Sequence, residues 1–347
     1  MTDDIRLCRT FQTAPAAVPK DDSAKYLRSG LEAEGFQAPD WLVPDMEDGT
    51  APNMKDEGLE NTIEIVPEYD FPGEIWPRVE WSYEDASFRD RGREQIDQLV
   101  GEIGDHIDGV VVPKVGRVED VQRAAEAVAD AESKHGYEDG SIKLSVIVET
   151  GRARSDLRDI AKYGADSRLT ALVFGPVDYA AELGARDLGD GRPRWDGLLE
   201  RLSNEASAGD LLCIGGPFDD LFKERAGLTY YNADAYADQV EHEAHLGLDG
   251  SWSLYPKQTI QANTVHMPTP EELERDVSKI ERFNEAKAEG TGAVTLDGQM
   301  VDEATFKVFR NTVQQVRAID ETRPAQTEEY YDEDLLERAR DLELSYT

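Results

Sequence analysis

The stretch that decides the fold runs from residue 109 to residue 174. It opens with GVVVP (109–113), followed by Lys114, and passes through a segment of helical period (118–134). It returns to an apolar run, LSVIVE (144–149), crosses a second helical segment (154–163), and ends in LTALVF (169–174). The three apolar runs are short, β-branched and bounded by Gly, Pro or charge, which is how strands buried on both faces read. Each is followed by enough chain for one crossover helix. Alternation of this kind implies a parallel sheet with right-handed crossovers.

The same rhythm continues outward. Further short runs lie at 5–11, 41–44, 76–80, 211–215 and 250–254, which makes eight, with helix-like stretches at 198–207 and 233–246. Eight strands favour a closed (β/α)8 TIM barrel, although periodicity alone does not close the ring and an open doubly wound sheet has the same alternation. Length agrees, because 347 residues hold one barrel of about 250 and a tail. The expected division is a catalytic barrel over 1–267 and a C-terminal helical extension over 268–347. In that extension Pro268, Thr269 and Pro270 read as a turn and helix start. Helices are expected over 271–288 and 303–317, and 327–347 reads as a docked helix or a loose tail.

Composition narrows the function. There are 73 acidic and 37 basic residues, a formal net charge of −36. Such a field repels nucleic acid and anionic membranes. At molar salt the Debye length falls to about 3 Å and most of the self-repulsion is screened. The recurrent apolar strands argue against disorder, so the charge reads as adaptation of a globular enzyme to salt. Only Cys8 and Cys213 are present, which argues against a disulfide framework or zinc cluster and fits a reducing cytoplasm. Residues 1–9 have no signal-peptide core, and no apolar run is long enough to span a bilayer.

In a parallel barrel the chemistry sits at the C-terminal strand ends. Those ends carry Asp45-Met46-Glu47-Asp48-Gly49, Arg78-Val79-Glu80, Pro113-Lys114, Glu149-Thr150-Gly151-Arg152 and Phe174-Gly175-Pro176-Val177-Asp178. Glu149 and Asp178, on neighbouring strands, suit a hard divalent cation, which takes few carboxylates and completes its shell with water and substrate oxygens. The alternative is that these acids pair with Arg78, Lys114 or Arg152 and hold loops.

Several blocks, in order, resemble one family. Asp45-Met46-Glu47-Asp48 with Lys55 is similar to the D-x-E-D…K signature of the HpcH/HpaI aldolase/citrate lyase β-subunit family. Glu149-Thr150-Gly151-Arg152-Ala153 resembles its E-T-A-R-G stretch with Gly and Ala rearranged, and residues 174–179 resemble its F-G-x-x-D block. Residues 109–114 resemble its G-I-x-x-P-K strand, and Arg9 falls where the family has an early R-S pair. Tyr255-Pro256-Lys257-Gln258 resembles its H-P-x-Q element, with Tyr255 in place of the histidine. Residues 297–302 resemble its D-G-x-M-x-D tail.

The resemblance implies an acyl-CoA lyase, most like the malyl-CoA/β-methylmalyl-CoA lyases of salt-loving archaea. It implies reversible cleavage of β-methylmalyl-CoA or L-malyl-CoA to glyoxylate and propionyl-CoA or acetyl-CoA. By the family's motifs, Glu149 and Asp178 bind Mg2+, with Mn2+ the alternative. Arg78 steadies the thioester oxygen, and Asp297 exchanges the proton of the reacting hydroxyl. Glu47 and Asp48 orient Arg78 or metal-bound water. Arg9 and Lys114 line the path of substrate or CoA, and Gly175 and Pro256 join the same substrate-binding set. The tail segment acts as a lid in a homo-oligomer, trimeric or hexameric. A malate synthase, a citramalyl-CoA or citryl lyase, and a silent barrel subunit of a larger complex are the rival readings.

Other features read as structure. His242-Glu243-Ala244-His245 has the wrong spacing for a zinc protease and reads as a helix surface. Gly215-Gly216-Pro217-Phe218 reads equally as a tight turn or as an anion-binding loop. With no GxGxxG and no Walker loop, a dinucleotide or NTP enzyme is not expected.

Overall fold

Parity along each strand decides what the barrel contains. In strand β2 (Trp41–Asp45) the odd residues Trp41 and Val43 belong to one buried cluster and the even residue Leu42 to another. The same split recurs in β4 (Gly109–Val112), β5 (Lys143–Val148) and β6 (Leu169–Phe174). There Val111, Ile147 and Val173 join the first cluster, while Val110, Val146 and Leu172 join the second. Side chains alternate across a strand, so the first cluster fills the barrel and the second lies under the helices. Both faces being buried explains why these strands read as continuous apolar runs.

The structure is a computed structural model and describes residues 6–186, 195–225, 227–288 and 293–345. The chain divides into two compact units, one spanning Cys8–His266 and the other formed by Met267 onward with the N-terminal Leu7. In the first unit β1 (Thr10–Pro15), β2 and β3 (Glu74–Ile75) form a parallel sheet with β10 (Ser251–Ser253) on the far side of β1. Strands β4, β5, β6 and β7 (Leu212–Ile214) form a second parallel sheet. Parallel bridges at Arg78, to Asp45 and Val111, and between Ile214 and Gly250 join the two into one ring. The TIM barrel is therefore closed. Pro77 has no N–H, so the regular β3 ladder stops short and resumes at Arg78, whose amide donates to the Pro44 carbonyl at 2.8 Å.

The floor is solid. Trp41 and Trp76 stack at 3.9 Å with planes 12° apart, and Phe11 meets Trp252 edge-on at 5.0 Å. Truncating one of these indoles would cost about 3–5 kcal/mol. Aromatic side chains therefore fill the N-terminal part of the barrel interior. Helices such as Val118–His135 and Gly151–Gly164 wrap the outside. The former buries Val121, Ala124, Val128 and Ala131 and stops at Gly136, whose φ of +84° is a left-handed cap.

Two expectations are corrected here. The first strand was placed at 5–11 but starts at Thr10. An exposed hairpin, β8 (Phe222–Arg225) and β9 (Leu228–Tyr231), follows β7 where no strand was expected. Its four-residue arms carry no buried alternation for sequence periodicity to detect.

The second unit is helical. Pro270–Ala288 and Glu303–Thr322 bury Leu273, Val277, Ile280, Phe283, Phe306, Val313 and Ile319. Glu333–Asp341 adds Leu335 and Leu336, and Arg338 reaches Glu274 and Glu281 at 2.7 and 2.9 Å. Between the long helices stands a hairpin of Val294–Leu296 and Gln299–Val301, turned by Asp297 and Gly298 with φ of +49° and +81°. Among the described residues no helix is long and apolar enough to cross a membrane.

Candidate active site at the C-terminal strand ends

The parity that sends Trp41 and Val43 inward sends Asp45 inward too, one step nearer the mouth. Asp45 is 1% exposed and its carboxylate accepts four hydrogen bonds. Oδ1 takes the Arg78 Nε at 2.7 Å and the Glu47 amide at 2.9 Å. Oδ2 takes Arg78 Nη2 at 2.5 Å and the Gly49 amide at 2.9 Å. A Cβ on Gly49 would stand 2.1 Å from that second oxygen, so only glycine permits the arrangement. Arg78, 6% exposed, is thereby fixed by a planar two-point contact. Its Nη1 lies 3.6 Å from Glu47, and its Cζ lies 5.5 Å over the Trp252 ring.

Lys114 follows the end of β4 by two residues and has a left-handed φ of +49°. That conformation turns its amide to donate to Glu149 Oε1 at 2.7 Å. Its ammonium meanwhile bonds Glu47 and, at 2.9 Å, Asp48. Burial acts to raise Asp48, but the Lys114 contacts, the bond with Glu47 and the Arg78 charge together draw it below the usual carboxylate range. Glu47 is pushed up to about 6, burial outweighing the pull of Arg78 and Lys114.

Glu149 is 4% exposed. Burial raises it to about 8; Arg78 opposes that rise and the charge of Asp178 adds to it. Gly175 is necessary to this carboxyl, since a Cβ there would lie 2.4 Å from Glu149 Oε2. Asp178 sits in the first turn of the helix Pro176–Glu182. A buried carboxyl whose ionisation is opposed by burial and by a neighbouring carboxylate fits a divalent cation. Its charge would reverse the effect, and magnesium needs no more than one or two carboxylates. Among the described residues no cluster of three or more His, Cys, Asp or Glu encloses a metal, so the remaining ligands would be water and substrate.

The structure thus brings Arg78, Glu47, Asp48, Lys114, Glu149, Gly175 and Asp178 to one mouth. Pro256 begins the helix Pro256–Val265 just after β10, at the same end of the strands. Arg9 is a correction. It precedes β1, is 0% exposed, and is bonded through Nε and Nη2 to Asp40 at 2.9 and 2.8 Å. It belongs to the N-terminal end of the barrel and lines no path to the mouth. Asp297 lies in the second unit, exposed, with its carboxylate 2.9 Å from Arg282.

Glu243 corrects the helix-surface reading of its motif. It is 2% exposed, accepts from Ser251 Oγ at 2.5 Å and Gln239 at 3.0 Å, and is bonded by the Gly216 backbone. The Gly215-Gly216 turn therefore serves an internal carboxyl that staples β7 to β10. Asp45 is the site residue that the sequence reading missed as a functional group; strand parity carried the signal.

The closed parallel barrel with acids, an arginine and a lysine at its mouth defines a class: the chain belongs to the HpcH/HpaI aldolase/citrate lyase family, whose model matches residues 29–193. Within it, the chain is 66% identical over 343 residues to the L-malyl-CoA/β-methylmalyl-CoA lyase of Haloarcula marismortui, covering 98% of this chain and 99% of that one. It is 40% identical over 276 residues to the apparent malate synthase of the same organism, covering 76% of this chain and 61% of that protein. Among solved structures, the magnesium/glyoxylate complex of Haloferax volcanii malate synthase matches with a TM-score of 0.70 and 32% identity, over 98% of this chain and 99% of that one.

Proposed function

We propose that this chain is a magnesium-dependent acyl-CoA lyase that reversibly cleaves β-methylmalyl-CoA and L-malyl-CoA to glyoxylate and propionyl-CoA or acetyl-CoA. The observation that carries the reading is the meeting of a fixed arginine, Arg78, with the carboxyl pair Glu149 and Asp178 in one barrel mouth. The near full-length likeness to a lyase of that name supports the substrate choice.

Glu149 and Asp178 hold the cation, which when bound supplies Lewis acidity to a 2-oxo acid; Mn2+ uses similar oxygen ligands. Cleavage breaks the bond between the hydroxyl-bearing carbon and the carbon next to the thioester. The electron pair passes onto the thioester as an enolate, and Arg78 donates to the oxygen where that charge gathers. The hydroxyl carbon becomes the aldehyde of glyoxylate as the hydroxyl O–H proton leaves to a general base. By the family's tail motif that base is Asp297; a proton is delivered to the enolate carbon to give the acyl-CoA, and both transfers run backwards in the condensation. Glu47 and Asp48 hold Lys114 at the rim, where its ammonium and Gly175 and Pro256 border the substrate.

The barrel over 1–267 is the catalytic part and 268–347 the extension. The enzyme works as a trimer or hexamer in a salt-rich cytoplasm, on free CoA thioesters. A malate synthase is the second reading, favoured by the malate synthase relatives.

Purified protein in molar KCl with Mg2+, glyoxylate and propionyl-CoA or acetyl-CoA should give a product with the mass of β-methylmalyl-CoA or malyl-CoA, lost on adding EDTA. Free malate with release of CoA thiol would move the assignment to malate synthase. Absence of any product would overturn both.

A further inference from the structure

We infer that Asp45 is the positioning residue of the site: it sets the orientation of Arg78, and the missing side chain of Gly49 is what lets it do so. The inference rests on the reading of Arg78 as the group that meets the thioester oxygen. A guanidinium has five donors in a rigid fork, and its usefulness depends on where the unspent ones point. Here Nε and Nη2 are spent on Asp45. Nη1 is left toward Glu47 at 3.6 Å, longer than a hydrogen bond. The arginine is thus held along one edge and offered along the other.

Asp45 is itself immobile. Both its oxygens are also tied to backbone amides, of Glu47 and Gly49, in the turn that follows β2. The Thr50 hydroxyl donates to the Asp45 carbonyl at 2.5 Å, and the Ala16 amide does so at 3.0 Å. The turn therefore holds the carboxylate, and the carboxylate holds the arginine, before any substrate arrives. Donors fixed in advance cost no reorganisation during reaction.

Two variants attack this arrangement from different sides. Asp45→Asn keeps the shape and removes the charge that holds the fork. Gly49→Ala keeps every charge, but its new Cβ meets Asp45 Oδ2. Each is expected to lower kcat by about a hundredfold, with the KM for glyoxylate and the affinity for Mn2+ alone, measured by electron paramagnetic resonance, unchanged. In an Arg78→Gln background, already slow, Asp45→Asn should lower kcat no further, because the two residues act as one unit. A normal kcat in both single variants would overturn the inference. So would additive losses in the double variant, or a parallel fall in Mn2+ affinity showing mere collapse of the mouth. If Arg78→Gln itself kept full turnover, the reading of Arg78 would fail first, and visibly so.

Discussion

Two buried arginine–aspartate pairs flank the same strand, and they do opposite things. Asp40 precedes β2 and holds Arg9; Asp45 ends β2 and holds Arg78. Both arginines are gripped through Nε and Nη2. Arg9 has in addition its own amide on Asp40 at 2.8 Å and is 0% exposed. It lies at the N-terminal end of β1. Arg78 keeps an edge turned toward Glu47 and, through longer-range charge, Glu149. The same side-chain pair is therefore fully enclosed at one end of the barrel and leaves one guanidinium edge unspent at the other. What separates them is the end of the strand, not the residues.

That contrast can be broken by mutation. Arg78→Gln should lower kcat by about a hundred- to a thousandfold, with little loss of folded protein. Arg9→Gln should do the reverse. It removes the Arg9 charge from buried Asp40, at a cost of about 3–5 kcal/mol in denaturant unfolding, while turnover per folded molecule stays normal. Slow turnover in folded Arg9→Gln would restore Arg9 to the substrate path. A sharper form replaces the whole lower pair. Because a buried ion pair often contributes no more than apolar residues of its size, Arg9→Met with Asp40→Leu should recover most of the lost stability. Failure to recover would mean that the pair also serves the backbone around it.

A smaller effect concerns the seam between β7 and β10. Burial raises Glu243 to about 8 from its usual 4.5, against the opposing bonds from Ser251, Gln239 and Gly216. The folded chain thus keeps a proton that the unfolded chain releases above about pH 4.5. The stability this confers is full below that pH and is lost progressively as pH rises toward about 8. Glu243→Gln should remove that slope, so the wild-type melting temperature should fall relative to the variant by roughly a few degrees between pH 5 and pH 8. Parallel curves would show that the proton is held elsewhere.

Much of this was legible from residues alone. LTALVF (169–174) reads to the residue as a strand, and the chain pattern puts Glu149 and Asp178 at adjacent strand ends. Arg9 takes its expected role from the match to the family's early R-S pair, and the strand boundary decides against it. Placing the first strand at 5–11 puts Arg9 toward the C-terminal end, whereas a start at Thr10 puts it before the strand. A shift of about five residues moves a side chain from one end of a barrel to the other, and the polar Gln12 and Thr13 hid the true run. Asp45 was passed over because an acid-rich motif does not announce which acid points inward. Counting by twos from Trp41 would have done so.

Lys114 carries one more lesson. Its left-handed backbone costs about 1–3 kcal/mol for a side chain with a Cβ, and glycine would relieve it. Glycine would also keep the amide that meets Glu149 while deleting the ammonium that ties down Glu47 and Asp48. Selection for a tougher barrel and selection for a working mouth therefore pull this position in opposite directions. A library screened only for heat resistance should drift toward glycine here, and its most durable members should be among its poorest catalysts.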